Sequence, residues 1–172
     1  MGKIFALVSI DTDALTYAHC YKDDDNADDK LLGLKVRHYL KSASQKNIQV
    51  VLPIVVLSEY LCTYDQIDYD RIIAELDQDF ILGEFNYIAA KELAIMRRNK
   101  HLLKGSQQKT NQSKNTIKYD QFIAAISIAA GATQILTGNS KDYDDLTAGK
   151  LKVIEIRQLP MPSIPQSLPG CE

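Results

Sequence analysis

Cysteine is scarce. The chain holds 3, Cys20, Cys62 and Cys171, an odd number, widely spaced and without a CxxC pair. That argues against a disulfide framework and a cysteine-built zinc site, and fits a reducing compartment. Long apolar runs are missing as well. None approaches the ~20 residues that span a bilayer. The run from Lys3 to Ile10 has no small-residue cleavage site before Asp11, so no secretory leader is expected. Nor is there a basic excess. With 20 Lys and Arg against 22 Asp and Glu the formal charge is −2, which excludes a uniformly basic nucleic-acid coat but not a local patch. No P-loop, no GxGxxG and no Ser-His-Asp order is present. For 172 residues, 45% of them hydrophobic, the expectation is one soluble, cytoplasmic domain with a sizeable core.

What the chain does have is a repeated switch between two periodicities. Ile4–Ile10, Val50–Leu52, Ile135–Thr137 and the alternating Leu151–Ile156 read as short buried strands. Pro53 cannot donate to a sheet ladder and closes the second of them. Helical spacing falls between, over roughly 28–45, 54–63, 69–79, 86–104 and 119–130. Phe80–Phe85 fits either a short strand or a loop. Short apolar strands alternating with helices predict an α/β fold with a mostly parallel sheet covered on both faces. Residues 105–117 hold one large apolar side chain and read as a polar loop. From Leu159 onward lie Pro160, Pro162, Pro165 and Pro169, four of the chain's 5 prolines. The domain is therefore assigned to 1–158 and an extended proline-rich tail to 159–172.

Charge is unevenly spread. From Lys91 to Lys118 the basic residues are Lys91, Arg97, Arg98, Lys100, Lys104, Lys109, Lys114 and Lys118, eight against the single Glu92, a net of +7. Lys91 and Arg98, like Arg97 and Lys104, are seven apart and share one side of a helix. A solvated helix face is the plain reading, and a strip that attracts a phosphate backbone is the sharper one.

Acidic residues fall where open α/β sheets place their ligands, just past the carboxyl ends of strands. Asp11 ends the first run, and Asn139 and Asp142 follow Ile135–Thr137. Glu59 lies on the helix after the second strand, and Asp120 opens the segment Asp120–Ala130. Small Ala124 and Ser127 share the face of Asp120 and would let that helix approach the sheet. Taken alone, Asp120 is as well explained as a helix cap or first-turn charge. Together the acids make chemical sense around a hard cation such as Mg²⁺ or Mn²⁺, because carboxylates crowded without one repel and raise each other's pKa.

Four segments carry a resemblance. The strand ending Ile10-Asp11-Thr12, then Leu57-Ser58-Glu59-Tyr60-Leu61, Asp120-Gln121-Phe122-Ile123-Ala124-Ala125 and Ile135-Leu136-Thr137-Gly138-Asn139-Ser140-Lys141-Asp142-Tyr143 occur in this order. Together they resemble the PIN-domain family, particularly its VapC-like toxin ribonucleases, over most of residues 3–157. The resemblance implies a three-layer sandwich around a parallel sheet of about five strands, and RNA hydrolysis with Mg²⁺ or Mn²⁺. It implies that Asp11, Glu59, Asp120 and Asp142 hold the metal, assisted by Asn139 and Thr137. Relatives often read Thr-x-Asp-x-x-Asp-Phe in the last motif; here Asn139 stands for the first acid and Tyr143 for the aromatic residue, leaving open one metal or two. The resemblance also implies a homodimer and a small antitoxin that covers the acidic groove. Lys91, Arg97, Arg98, Lys104 and Lys118 would then steer the RNA.

Two other readings compete. Asp11-Thr12-Asp13-Ala14-Leu15 is similar to the Asp-x-Asp start of haloacid-dehalogenase-type phosphatases, with Asp11 as nucleophile. Leu15 and Gly138-Asn139 depart from that pattern, which leaves Asp13 as a turn or helix-start residue. A PIN-like module that binds RNA or protein without cutting is the other. His19, His38 and His101 are scattered, and Tyr60, Tyr64 and Tyr69 read as packing residues. Tyr119 reads as packing or as a ring that stacks on a base.

Overall fold

The computed structural model describes residues 6–19, 26–99 and 114–162. Five strands, β1 (Leu7–Ile10), β2 (Gln49–Pro53), β3 (Ile81–Gly83), β4 (Gln134–Thr137) and β5 (Lys152–Glu155), form one sheet in the order β3-β2-β1-β4-β5. Every pairing is parallel. Among the described residues seven α-helices join them: α1 (Thr12–His19), α2 (Ala27–Gln45), α3 (Ile54–Leu61), α4 (Tyr69–Asp79), α5 (Tyr87–Arg98), α6 (Lys114–Ala129) and α7 (Ser140–Thr147).

The sheet's two faces follow from strand alternation. On β1, Ser9 meets α6, where Ser127 Oγ donates to Ser9 Oγ at 2.6 Å. Val8 and Ile10 point the other way and are as fully buried, so the sheet is covered on both sides. Ala124, Ala125 and Ser127 let α6 come this close, and Gly83 completes the approach. A Cβ there would stand 2.9 Å from both Ile126 Cγ2 and Val51 Cγ1. The helices start on local caps: Asn26 Oδ1 accepts from Asp29 N–H at 2.9 Å on α2, and Asn86 Oδ1 from Ile88 and Ala89 N–H at 3.0 Å on α5. Pro53 ends β2 and supplies the residue before α3, as its missing donor requires.

Most elements lie where the apolar pattern puts them, with four differences. Phe80–Phe85 resolves into strand β3. Two eight-residue helices, α1 and α7, had no counterpart in the pattern; α7 is Ser-Lys-Asp-Tyr-Asp-Asp-Leu-Thr, too polar to read as core-forming, yet it buries Tyr143 and Leu146. The polar loop expected over 105–117 is helical from Lys114 on. Once the buried turns from Gln121 nucleate α6, each added residue costs little, so a polar extension propagates. The rest of that loop, the stretch 100–104 assigned to the α5 helix, and 163–172 of the tail lie outside the described residues. Leu159 is buried against the core. No helix among the described residues is long and apolar enough to cross a membrane.

Candidate active site

In the order β3-β2-β1-β4-β5 the chain leaves β1 to one side and β4 to the other, so a crevice opens beyond their carboxyl ends. The first acid sits there. Asp11 N–H still donates to the Leu136 carbonyl at 3.2 Å, and the chain turns at once into α1. Asp11 Oδ1 accepts from Ala14 N–H at 2.8 Å, so Asp11 caps α1. Asp120, weighed as a cap from its sequence, lies well inside α6 because that helix begins at Lys114. The capping explanation for Asp120 is therefore removed, and no first-turn charge is involved.

Asp11, Glu59, Asp120 and Asn139 line one cleft of about 570 Å³, together with Thr12, Asp13, Cys62, Tyr119, Ile123 and Tyr143. Glu59 is held by Thr12, whose hydroxyl donates to Glu59 Oε2. Asp142 is fully buried one layer deeper, and the Asn139 side-chain amide donates to its Oδ2. Asn139 N–H donates to Thr137 Oγ1 at 2.8 Å, which fixes the β4–α7 turn beside Asp11. Asn139 thus spends its amide nitrogen on Asp142, and its side chain also lines the cleft. A larger cavity, about 800 Å³, opens at the opposite end of the strands, where Gln49 and Ile81 begin β2 and β3. None of the motif residues lines it.

The electrostatics are those of carboxylates crowded away from water. Burial, then the Asp13 charge, raises Asp11 from 3.8 to about 7, against the opposing pull of the Thr137 hydroxyl and the Ala14 N–H. Asp120 is also raised to about 7, first by burial, then by Asp142, Glu59 and Asp13. Tyr143 is pushed well above its ordinary value, by burial first and then by the surrounding acids. Its hydroxyl is near enough to favour ionised Asp120, yet Tyr143 Oη and Asp120 Oδ2 are both buried without a hydrogen-bond partner.

Asp13 is the residue that sequence reasoning undervalued. It does start a helix, but it also lines the cleft and charges both Asp11 and Asp120. Its position two residues past Asp11, where a strand turns directly into a helix, is the signal that could have found it.

The basic residues separate into groups. Arg97 reaches across to α6, where its Nε donates to Gln121 Oε1 at 3.4 Å and its guanidinium lies 5.2 Å from the Phe122 ring centroid. Lys118 is exposed on α6 two positions before Asp120. Lys91 and Arg98 are exposed on α5, and Lys104 lies outside the described residues. Of the tyrosines read as packing, Tyr60 is buried and bonds the Tyr64 hydroxyl at 2.6 Å.

Hard oxygen donors, an orphaned Asp120 Oδ2 and two carboxyls driven up by burial and then by neighbouring acids fit a divalent cation. Among the described residues, no three acidic, histidine or cysteine side chains stand grouped as a ready-made cage. Asp11, Glu59 and Asp142 each accept from a neutral donor, which leaves Asp120 Oδ2, among the described residues, as the cleft carboxylate oxygen buried without a partner.

A five-stranded parallel sheet between helices, with acids at its switch point, is the PIN-like architecture the resemblance implied. No family model matches the chain. No curated protein matches it by sequence. Solved structures do match. A chain of VapBC2 from Rickettsia felis, bound to a DNA fragment from its promoter, aligns at TM-score 0.59 and 15% identity over 87% of this chain and 98% of its own. DNA-bound VapBC from Salmonella typhimurium gives 0.56 and 12% over 88% and 99%. VapBC-1 from nontypeable Haemophilus influenzae gives 0.59 and 14% over the same shares, 88% and 99%. At this identity the likeness establishes the fold.

Proposed function

We propose that this chain is a VapC-like, metal-dependent endoribonuclease. The observation that carries the reading is the convergence of Asp11, Glu59 and Asp120, far apart in sequence, on one cleft at the sheet's switch point with Asp142 beneath it. Asp11, Glu59, Asp120 and Asp142 would hold Mg²⁺ or Mn²⁺. When bound, such an ion polarises a phosphoryl oxygen and makes water a better nucleophile. The protein's own part is orientation. The Ala14 N–H fixes Asp11, Thr12 fixes Glu59, and Asn139 fixes Asp142 through a turn pinned on Thr137. Lys118 and Arg97 place positive charge beside acids that would otherwise repel an RNA backbone. In-line hydrolysis would leave a 5′-phosphate and a 3′-hydroxyl.

The structural neighbours are VapBC pairs, which supports a small antitoxin as partner and a toxin role for this chain, with a homodimer as its assembly. One observation favours a second reading. Asp13 in the cleft beside Asp11 is also what a phosphatase with an Asp11 nucleophile would need. Incubating the purified protein with labelled RNA and Mg²⁺ or Mn²⁺, with and without chelator, tests both. Cleavage that stops in chelator and in Asp120→Asn supports the nuclease. Intact RNA under all conditions overturns it, and phosphate transferred onto Asp11 selects the phosphatase.

A further inference from the structure

We propose that Tyr119, with Lys118 and Phe122, forms a nucleobase subsite at the rim of the acidic cleft, in which one unpaired base of the RNA strand stacks on the Tyr119 ring. The proposal rests on the ribonuclease reading and names how that site grips its substrate. Tyr119 is 50% exposed, so it stands at the rim and not in the core. Single exposed aromatics are common and need no explanation. What distinguishes Tyr119 is that it belongs to two concavities at once. It lines the acidic cleft next to Asp120, and it also walls an adjoining cavity of about 500 Å³ bounded by Val55, Lys118 and Phe122.

That second cavity is built from the parts a base and its phosphate require. Its floor is apolar and braced: the Phe122 ring packs on Phe85 with centroids 5.3 Å apart, and the Arg97 guanidinium covers the Phe122 ring from 5.2 Å. Arg97 is held there by Gln121, the neighbour of Asp120. Lys118 supplies an exposed cation at the rim. An aromatic platform with flanking cations tracks single-stranded nucleic acid, because every base has a stacking face and every linkage a charge. An apolar side chain of a protein partner would use the platform but leave the two cations unanswered. Since Tyr119 and Asp120 are consecutive, a base stacked on the ring sets its own backbone at the mouth of the acids. A base in that position must be out of its helix, so the subsite selects unpaired RNA over duplex.

The test uses the full chain and a short fluorescently labelled single-stranded RNA, with chelator present so that binding is read without cutting. Tyr119→Ala should weaken binding roughly 5- to 100-fold, and Tyr119→Phe, which keeps the ring, should recover most of the loss. With Mg²⁺ or Mn²⁺ added, the Tyr119→Ala defect should appear in KM rather than kcat, and wild type should bind the same sequence less well as a duplex. If wild type cuts RNA but Tyr119→Ala binds and cuts with wild-type affinity, the subsite is wrong and the nuclease reading stands. If Tyr119→Ala leaves RNA binding intact but changes the sedimentation of the protein, the surface is a protein interface, which also overturns the proposal. If wild type neither binds nor cuts RNA, both readings fall.

Discussion

The carboxyl group of Asp13 lies directly against Gly138: a Cβ on that glycine would stand 2.6 Å from Asp13 Oδ2 and 3.2 Å from Asp13 Cβ. The first turn of α1 and the turn after β4 are thereby interlocked across the mouth of the acidic cleft. Gly138→Ala should push the Asp13 carboxyl aside at a cost of about 1 kcal/mol, seen as a melting temperature lower by about 2–4 °C. Adding Asp13→Ala should recover most of that loss, because the carboxyl oxygen at 2.6 Å is gone and only the milder 3.2 Å contact with Cβ is left. Strictly additive losses in the double variant would show that the two residues do not meet.

Asp11 and Asp120 both titrate at about 7, above the ordinary 3.8. The folded protein therefore keeps protons that the unfolded chain has released. The stability these two groups contribute is complete below about pH 4 and is lost as pH rises through about 7. In chelator, wild type should lose melting temperature relative to Asp120→Asn between about pH 4 and pH 8, and Mn²⁺ should stabilise wild type more at the upper end. Parallel melting curves for the two proteins across that interval would contradict the upward shift that burial and the neighbouring acids impose on Asp120.

Gly83 tests how closely α6 approaches the sheet. Gly83→Ala places a methyl group 2.9 Å from Ile126 Cγ2 and Val51 Cγ1, one on α6 and one on β2. The expected cost is about 1–3 kcal/mol of stability in denaturant unfolding, from overpacking. A neutral effect would mean that α6 stands further from the strands.

The strands were legible because a parallel sheet covered on both faces needs near-continuous apolar runs, and Val50–Leu52 and Ile135–Thr137 are such runs. Asp11, Glu59 and Asp142 were legible by position, each just beyond a strand or on the helix that follows. The rest was hidden by physics that acts through contacts. Helix α7 is polar in sequence and is held by burying Tyr143 and Leu146. Asp120 looked like a cap because Lys114–Ile117 reads as loop, and only the helical start at Lys114 shows that it is not one. The bond from Asn139 to Asp142 and the seat of Asp13 on Gly138 depend on side-chain directions that no spacing encodes.

The basic residues call for a graded test. Arg97 and Arg98 are both exposed, but Arg97 is also engaged with Gln121 and Phe122. Arg98→Ala should weaken RNA binding and lower its salt slope by about 1 for a lost phosphate contact, with little change in stability. Arg97→Ala should weaken binding and also lower the melting temperature. Unchanged affinity and salt slope in the double variant would retire the basic strip.

The convergence of the acids on one divalent cation is tested most directly by anomalous diffraction from crystals soaked in Mn²⁺. A single strong peak is expected in the cleft, bonded to carboxylate oxygens of Asp11 and Asp120, with Glu59 or Asp142 reached directly or through water. Ordered acids around a cleft with no anomalous peak at millimolar Mn²⁺ would contradict the metal-dependent nuclease.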